Sequence, residues 1–368
     1  MAYRTFYAVH AIGTAPDGSA SFVRVKGVQS VSINTTFNLE ELFELGQIEV
    51  YEQIEGTPDV EVTVEKLQDG ECPMYLRMTQ NAGSASLAGR SAKKAALALS
   101  IYDDQQDSAS GTALSQITMS GLVVSSLTYN FPVEGPFTEQ ITAVGNHKAW
   151  IQAGFTFAPT FPNTDSPAGL GGVNRRQHLL FKPTISNAAA NLDANNALTD
   201  TNCTILPGNT GGKVQGISSS GTNNKTNGQY AAHLSNISVS TNLGRERLFE
   251  LGRKTDYYRF VTFPIEVTCE ITQISTQGDL VDATEDGVIS DGSNLSNQSI
   301  RIATYEGLRL NLGAKNKLQS VSYQGGDTGG GNVSVTYSYR NFNSLSVSHS
   351  GDVTSALAAN VAAALYPN

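Results

Sequence analysis

A mainly β fold carrying one domain twice is predicted by three features of the 368-residue sequence: an internal repeat, apolar–polar alternation with a period of two, and a composition rich in turn formers. The repeat is the strongest. Residues 30–65 read SVSINTTFNLEELFELGQIEVYEQIEGTPDVEVTVE and residues 236–271 read NISVSTNLGRERLFELGRKTDYYRFVTFPIEVTCEI. At an offset of 206 they share LFELG, with Ser32 matching Ser238, Thr35 matching Thr241, Tyr51 matching Tyr257 and Pro58 matching Pro264. One residue is then dropped, so that VEVTVE meets IEVTCE. A second block, residues 127–142 against 321–336, aligns at an offset of 194, pairing Leu127 with Val321, Tyr129 with Tyr323, Ile141 with Val335 and Thr142 with Thr336. Two colinear blocks in one order imply a duplicated domain.

Within each copy the alternation marks strands. Val60–Glu65, Leu97–Tyr102, Ile117–Val123, Val333–Tyr339 and Leu345–His349 place apolar residues at every second position, as a half-buried strand does. Pro58 and Pro264 precede the alternating segment in both copies, where a strand can start without an N–H. Helix is expected only as a turn or two at Leu39–Leu45, Arg245–Leu251 and Arg90–Ala96, and at Thr354–Ala364, with Gly46 and Gly252 as C-caps. The predicted division is a first unit over 1–150, a linker over 151–174 and a second unit over 175–368, with a Gly/Ser/Asn-rich insertion around 204–229. His178–Lys182 is the expected first strand of the second unit, answering Thr5–Val9. Pro207–Gly228 lacks the apolar residues to form a core of its own and is expected to be either a mobile loop or an extended arm that orders only on a neighbour.

Charge narrows the function. The net charge is 24 − 33 = −9, which argues against a sequence-reading nucleic-acid binder relying on Lys and Arg to neutralise phosphates. Only 15% of residues are charged, so the surface must be covered by amides and hydroxyls or buried against other copies of the chain. The N-terminal MAYRTFYAVHAIG has neither the basic start nor the long apolar core of a signal peptide, and no run approaches ~18 apolar residues. Neither export nor a membrane partner is expected.

Catalytic and metal motifs fail on spacing. GNTGGK at Gly208–Lys213 is one residue short of a phosphate loop and has Val214 where Ser or Thr would hold magnesium. Asp282, Asp286 and Asp291 miss calcium-loop spacing, and the five histidines never reach ligand spacing. Cys72, Cys203 and Cys269 read as reduced structural thiols. There is no Gly-x-Ser-x-Gly elbow, and the adjacent carboxylates Glu40–Glu41 and Asp103–Asp104 read as solvated. No enzyme activity, cofactor or metal is expected.

Two candidate contact sets remain. Leu42, Phe43, Glu44, Leu45 and Gly46, with Leu248, Phe249, Glu250, Leu251 and Gly252, are too apolar for free loops, so each word docks either into its own core or onto a neighbouring subunit. Around them the copies differ in charge. Leu39, Glu41, Gln47, Ile48 and Gln53 stand where the second copy has Arg245, Arg247, Arg253, Lys254 and Arg259. Glu40 and Glu41 against Arg245, Arg247, Arg253 and Lys254 therefore form either a complementary set between domains or simply solvated surface.

The order of these features resembles the major tail tube proteins of bacteriophages. The residues that carry the resemblance are NLEELFELG at Asn38–Gly46, Tyr51, Pro58, Val60–Glu65, Leu127–Tyr129, the turn Val133–Glu139, and Val144–Lys148 followed by Trp150. The second copy keeps the first word and the proline but has Gly325–Gly331 at the late turn. The resemblance implies a β-sandwich or half-barrel domain with one short helix per copy and long loops between elements. It implies rings stacked into the hollow tube of a phage tail, trimers of the duplicated chain imitating a hexamer, and assembly in the host cytoplasm into a virion. The implied partners are the chain itself, the tape measure, tail terminator, baseplate or distal tail proteins, possibly a sheath, and genomic DNA passing through without sequence-specific binding. The other reading of a duplicated β chain is a virion-borne binding module, an adhesin or carbohydrate binder.

Overall fold

The structure, a computed structural model, describes residues 10–46, 48–80, 82, 86–102, 112–154, 156–157, 173, 175, 179–184, 234–253, 255–274, 299–304, 308–325 and 333–349. Strands dominate. They are β1 (His10–Pro16), β2 (Val23–Val25), β3 (Val28–Thr36), β4 (Leu39–Phe43), β5 (Val50–Glu55), β6 (Asp59–Leu67), β7 (Lys94–Ile101), β8 (Ala113–Pro132), β9 (Thr138–Gly145) and β10 (His147–Gly154) in the first half. The second half contributes β11 (Leu179–Thr184), β12 (Leu234–Asn242), β13 (Arg245–Leu248), β14 (Tyr258–Val261), β15 (Glu266–Ile274), β16 (Ser299–Thr304), β17 (Leu308–Asn311), β18 (Lys317–Gln324), β19 (Ser334–Phe342) and β20 (Ser346–His349).

Eight strands form one continuous antiparallel path, β3-β6-β9-β8-β12-β15-β19-β18. The first four lie in the first half and the last four in the second. Their ladders run in parallel rows. In the first half Val31, Val64, Ile141 and Leu127 stand in one row; in the second, Ile237, Ile271, Tyr337 and Val321 do. Register shifts also fall at matching places, Val28/Ser30 with Leu234/Asn236 and Val124/Ser126 with Leu318/Ser320. These rows equate Val64 with Ile271 and Ile141 with Tyr337, each two residues from the match that the words VEVTVE and IEVTCE and the second block predict. A slip of two keeps every side chain on its face, so alternation alone does not detect it.

The 20-residue β8 pairs with four strands of one 12-stranded sheet. Its N-terminal part pairs with β7 and β10, its C-terminal part with β9 and β12, and Gly121 between them takes a φ of +67°, which a side chain would oppose. The outer order β10-β8-β7-β1 is matched by β20-β17-β16-β11. β11 thus takes the pairing place of β1, and Thr5–Val9, which it was expected to answer, lies outside the described residues. The core fills the space between layers: Val60, Val62, Ile237 and Val267 of the long sheet join Ile12, Leu97, Leu310 and Val347 of the outer strands in one buried cluster.

Both described helices, α1 (Met74–Met78) and α2 (Leu87–Ser91), lie in the first half. The buried Glu139 caps α1, accepting from the backbone N–H of Met74 (2.7 Å) and Tyr75 (3.0 Å) and from the Tyr129 hydroxyl (2.8 Å). The turns expected at Leu39–Leu45 and Arg245–Leu251 are instead the strands β4 and β13. The stretch Arg90–Ala96 holds the end of α2 and the start of β7. β10 extends to Gly154, past the expected boundary at 150, and Phe157 packs on Phe22 in a second small core. The candidate helix Thr354–Ala364, Cys203 and most of the linker and insertion lie outside the described residues.

Candidate functional site

Strand alternation gives the eight-strand sheet two unlike faces. Core-facing positions are mostly apolar, with Lys66, Glu139, Thr241, Gln273 and Asn341 as buried polar exceptions. The opposite face is a field of small hydroxyls and amides: Ser32, Asn34 and Thr36 on β3, Thr128 and Asn130 on β8, Ser238 and Ser240 on β12, Thr336 and Ser338 on β19, all half-buried or exposed. Five carboxylates share that face, Asp59, Glu61, Glu65, Glu266 and Glu270, against two cations, Lys317 and Arg340. The hydroxyls meet across strands, Thr63 with Thr142 (3.2 Å) and Thr272 with Thr336 (3.0 Å).

Between the outermost strands and the middle of the path, burial differs sharply. The β8–β12 seam joins the halves through Leu127, Tyr129 and Phe131 facing Ile237 and Val239, all buried. Each contributes on the order of 1.5–3 kcal/mol by leaving water. Burial is also the largest cause of the raised Tyr129 pKa, with the Glu139 charge adding to it. β3 pairs only with β6 and β18 only with β19 among the described strands, so within the described residues the eight-strand path has two open ends. Tyr323, which stands in the row of Tyr129, is 52% exposed where Tyr129 is 0%.

Two hairpins, β4–β5 and β13–β14, leave the sheet after β3 and β12. Gly46 and Gly252 sit in their turns at φ +94° and +88°, serving the hairpin rather than a helix end. The LFELG residues are at the tips. Phe43 is 65% exposed, Phe249 63%, and Leu45 and Leu251 fully so. Among the described residues none of these four side chains is buried in the domain's own core. Tyr51 and Tyr257 are exposed beside them, and the Arg253 guanidinium lies 5.7 Å from the Tyr257 ring.

The hairpin roots differ. Arg247 and Arg259 of β13–β14 both reach Asp59 of the first half, Arg259 at 2.7 Å, and Arg259 also bonds Asn146 (2.6 Å) and Asp256 (2.6 Å). Arg245 donates from Nε to the Val124 carbonyl (2.8 Å) at the β8 bulge, and burial lowers its pKa to about 10, leaving it charged at neutral pH. Of the expected basic set only Arg247 thus meets Asp59 within the chain, while Glu40 and Glu41 stand exposed on β4, Glu41 accepting from Gln53. Arg253 pairs with Glu250, and Lys254 lies outside the described residues. A cleft of about 570 Å³ lined by Asn38, Thr57, Arg247 and Phe249 lies between the roots. Asp59 and the seam carry no local sequence signal, whereas the alternating Ser, Thr and Asn of SVSINTT and NISVSTN do mark the polar face.

Among the described residues no group of three or more His, Cys, Asp or Glu is placed to hold a metal ion, and no helix is long and apolar enough to cross a membrane. Gly208–Lys213 and Asp282–Asp291 lie outside the described residues.

No family model and no curated protein matches the chain. Among solved structures it is similar to a chain of the anti-feeding prophage cap (AFP tube terminating cap), at 14% identity and a TM-score of 0.30, over 42% of this chain and 94% of that one. It is also similar to a chain of the PVC sheath-tube complex, an extracellular contractile injection system in its extended state, at 13% identity and a TM-score of 0.29 over 39% and 88%. A third match is a chain of the anti-feeding prophage baseplate, at 8% identity and a TM-score of 0.32 over 42% and 100%.

Proposed function

We propose that this chain is a structural, non-enzymatic subunit of a phage-type tail tube: a duplicated domain that closes into rings, stacks, and encloses a channel for DNA. One observation carries the reading. An eight-strand sheet with one polar, net-acidic face ends in two open edges, and those edges are the counterparts of the two strands that already pair at its centre. A heterologous junction that repeats either closes into a ring or runs on as a helix, and closure removes the edges that would otherwise aggregate. Three chains would supply six four-strand units. The polar face would then line the channel, with hydroxyls and amides facing DNA and acids outnumbering cations, so that phosphates slide rather than bind.

Negative-stain electron microscopy of the purified chain tests this. Rings or hollow tubes are the expected result. A chain that stays monomeric at every concentration and salt level rejects the tube, and glycan binding by that monomer would favour the adhesin reading.

A further inference from the structure

The intrachain seam serves as a template for the contact between chains. In the ladder rows β12 occupies the place of β3, and β8 the place of β18. The β8–β12 register sets Thr128 opposite Ser240 and Leu127 opposite Thr241. Transferring each residue along its row converts these pairs into Ser322 opposite Asn34 and Val321 opposite Thr35. The hairpins transfer with the strands. Arg247 corresponds to Glu41, since both hairpins keep one register (Arg247 opposite Arg259, Glu41 opposite Gln53). Asp59, which receives Arg247, corresponds to Glu266, and Val144 beside it corresponds to Arg340, which pairs with Glu266 at 2.9 Å.

We infer that a second copy of this chain docks on the β18 edge by its β3 strand in the register of the internal seam, Asn34 opposite Ser322, with its β4–β5 hairpin carrying Glu41 over Arg340. The inference rests on the tube reading and adds the pairing that builds it. Two features favour this occupant over any other strand. The residues it would cover, Val31, Ile33, Val321 and Tyr323, are open or half-open versions of ones the seam buries. The charges differ at the two junctions: inside the chain the basic hairpin meets Asp59 beside the uncharged Val144, and between chains the acidic hairpin meets the Glu266–Arg340 pair, with Arg340 standing where the seam has Val144. An acidic β4–β5 hairpin placed on β8 would meet Asp59 with no cation of that row beside it, which penalises pairing β3 with β8 and favours β18.

Cysteine cross-linking reads the register. At the seam Leu243 N–H donates to the Ser125 carbonyl (2.8 Å) and Val133 N–H to the Ser235 carbonyl (2.9 Å), so hydrogen-bonded pairs fall on core-facing positions. Polar-face pairs are then the close, non-hydrogen-bonded kind, whose Cα separation suits a disulfide. Asn34→Cys with Ser322→Cys, both on the polar face and in a Cys203→Ser background, is assembled, mildly oxidised and run on a non-reducing gel. The expected result is a ladder of chain oligomers, about tenfold stronger than for Asn34→Cys with Ser320→Cys or with Gln324→Cys, since a two-residue slip exceeds disulfide reach. Tubes with a slipped pair cross-linked, or with no cross-link, overturn the register while leaving the tube reading intact. Failure of the unmodified chain to assemble removes both. In a second arm, Arg340→Glu slows tube growth at low salt and Glu41→Arg restores it; growth unaffected by the first change, or not restored by the second, overturns the hairpin contact.

Discussion

β3 and β12 have the same alternating pattern and different neighbours. β12 lies between β15 and β8, and its Ile237 and Val239 are buried; among the described strands β3 has β6 on one side only, and its Val31 and Ile33 are half-open. The hairpins that follow differ in the same way. β13–β14 is anchored by arginines to Asp59, whereas every residue of β4 and β5 is exposed. One half of the chain thus uses the other as its neighbour, and the first half has the same surfaces without one. In this chain burial is set less by the local sequence than by which strand has a partner.

The strongest way to break the comparison is a charge at the same position in both strands. Val239→Asp places an unpaired carboxylate in the seam and lowers unfolding stability by about 3–5 kcal/mol. Ile33→Asp, still reached by water, lowers it by about 1–2 kcal/mol in the unassembled chain yet stops tube formation. Urea titration of the monomer separates them; equal losses would erase the distinction between seam and edge.

A smaller effect comes from the hairpin roots. Arg259 is 6% exposed and holds Asp59, Asp256 and Asn146 together, so Arg259→Ala leaves a buried acid unpaired and costs about 3 kcal/mol. Its counterpart Gln53 is exposed, with one long bond to Glu41 (3.4 Å), and Gln53→Ala changes monomer stability by less than about 0.5 kcal/mol. Equal costs in urea would show that the two roots are anchored alike.

The tips come next. Phe43→Asp with Phe249→Asp alters exposed side chains only, so stability shifts by less than about 1 kcal/mol while assembly is lost. Unchanged tubes in the electron microscope would remove the tips from the interface.

Much of the fold was legible in the sequence. Period-two alternation located β6, β19 and β20, because each buries one face and so carries a strong constraint. It also located β8 and β7, although β7 is buried on both faces, with Leu97 in one core and Ala96 and Ala98 in the other. The hairpins were misread as helical turns. Leu39, Leu42, Phe43 and Leu45 fall at helix-like spacing, and a hairpin open on both faces imposes no alternation to contradict it. The repeat located the LFELG words but not their exposure, which depends on what lies across from them. Asp59 was overlooked because its partners lie 188 and 200 residues away, a pairing no local pattern encodes.

The finest test exchanges a residue between the halves. Val62 and Cys269 occupy the same ladder row, both fully buried. Burial pushes the Cys269 thiol from its ordinary 9.0 up to about 12, with Glu270 adding to the rise. The folded chain therefore keeps this proton where the unfolded chain has lost it. Between about pH 9 and 12 the unfolded state binds fewer protons, so stability falls as pH rises, by up to ~1.4 kcal/mol per unit for one group. Below about pH 9 both states hold the proton and the group contributes no pH dependence. Cys269→Val inserts the residue the first half already packs in that row, so at pH 7 stability stays within about 1 kcal/mol of the parent. At pH 10.5 the variant is more stable than the parent by an additional ~1–2 kcal/mol. Part of the alkaline loss remains in the variant, since burial raises Tyr129 and Tyr339 in the same core and carries Tyr75 to about 12. Urea unfolding at pH 7, 9 and 10.5 measures the difference, and identical pH profiles would show that the thiol does not titrate with unfolding.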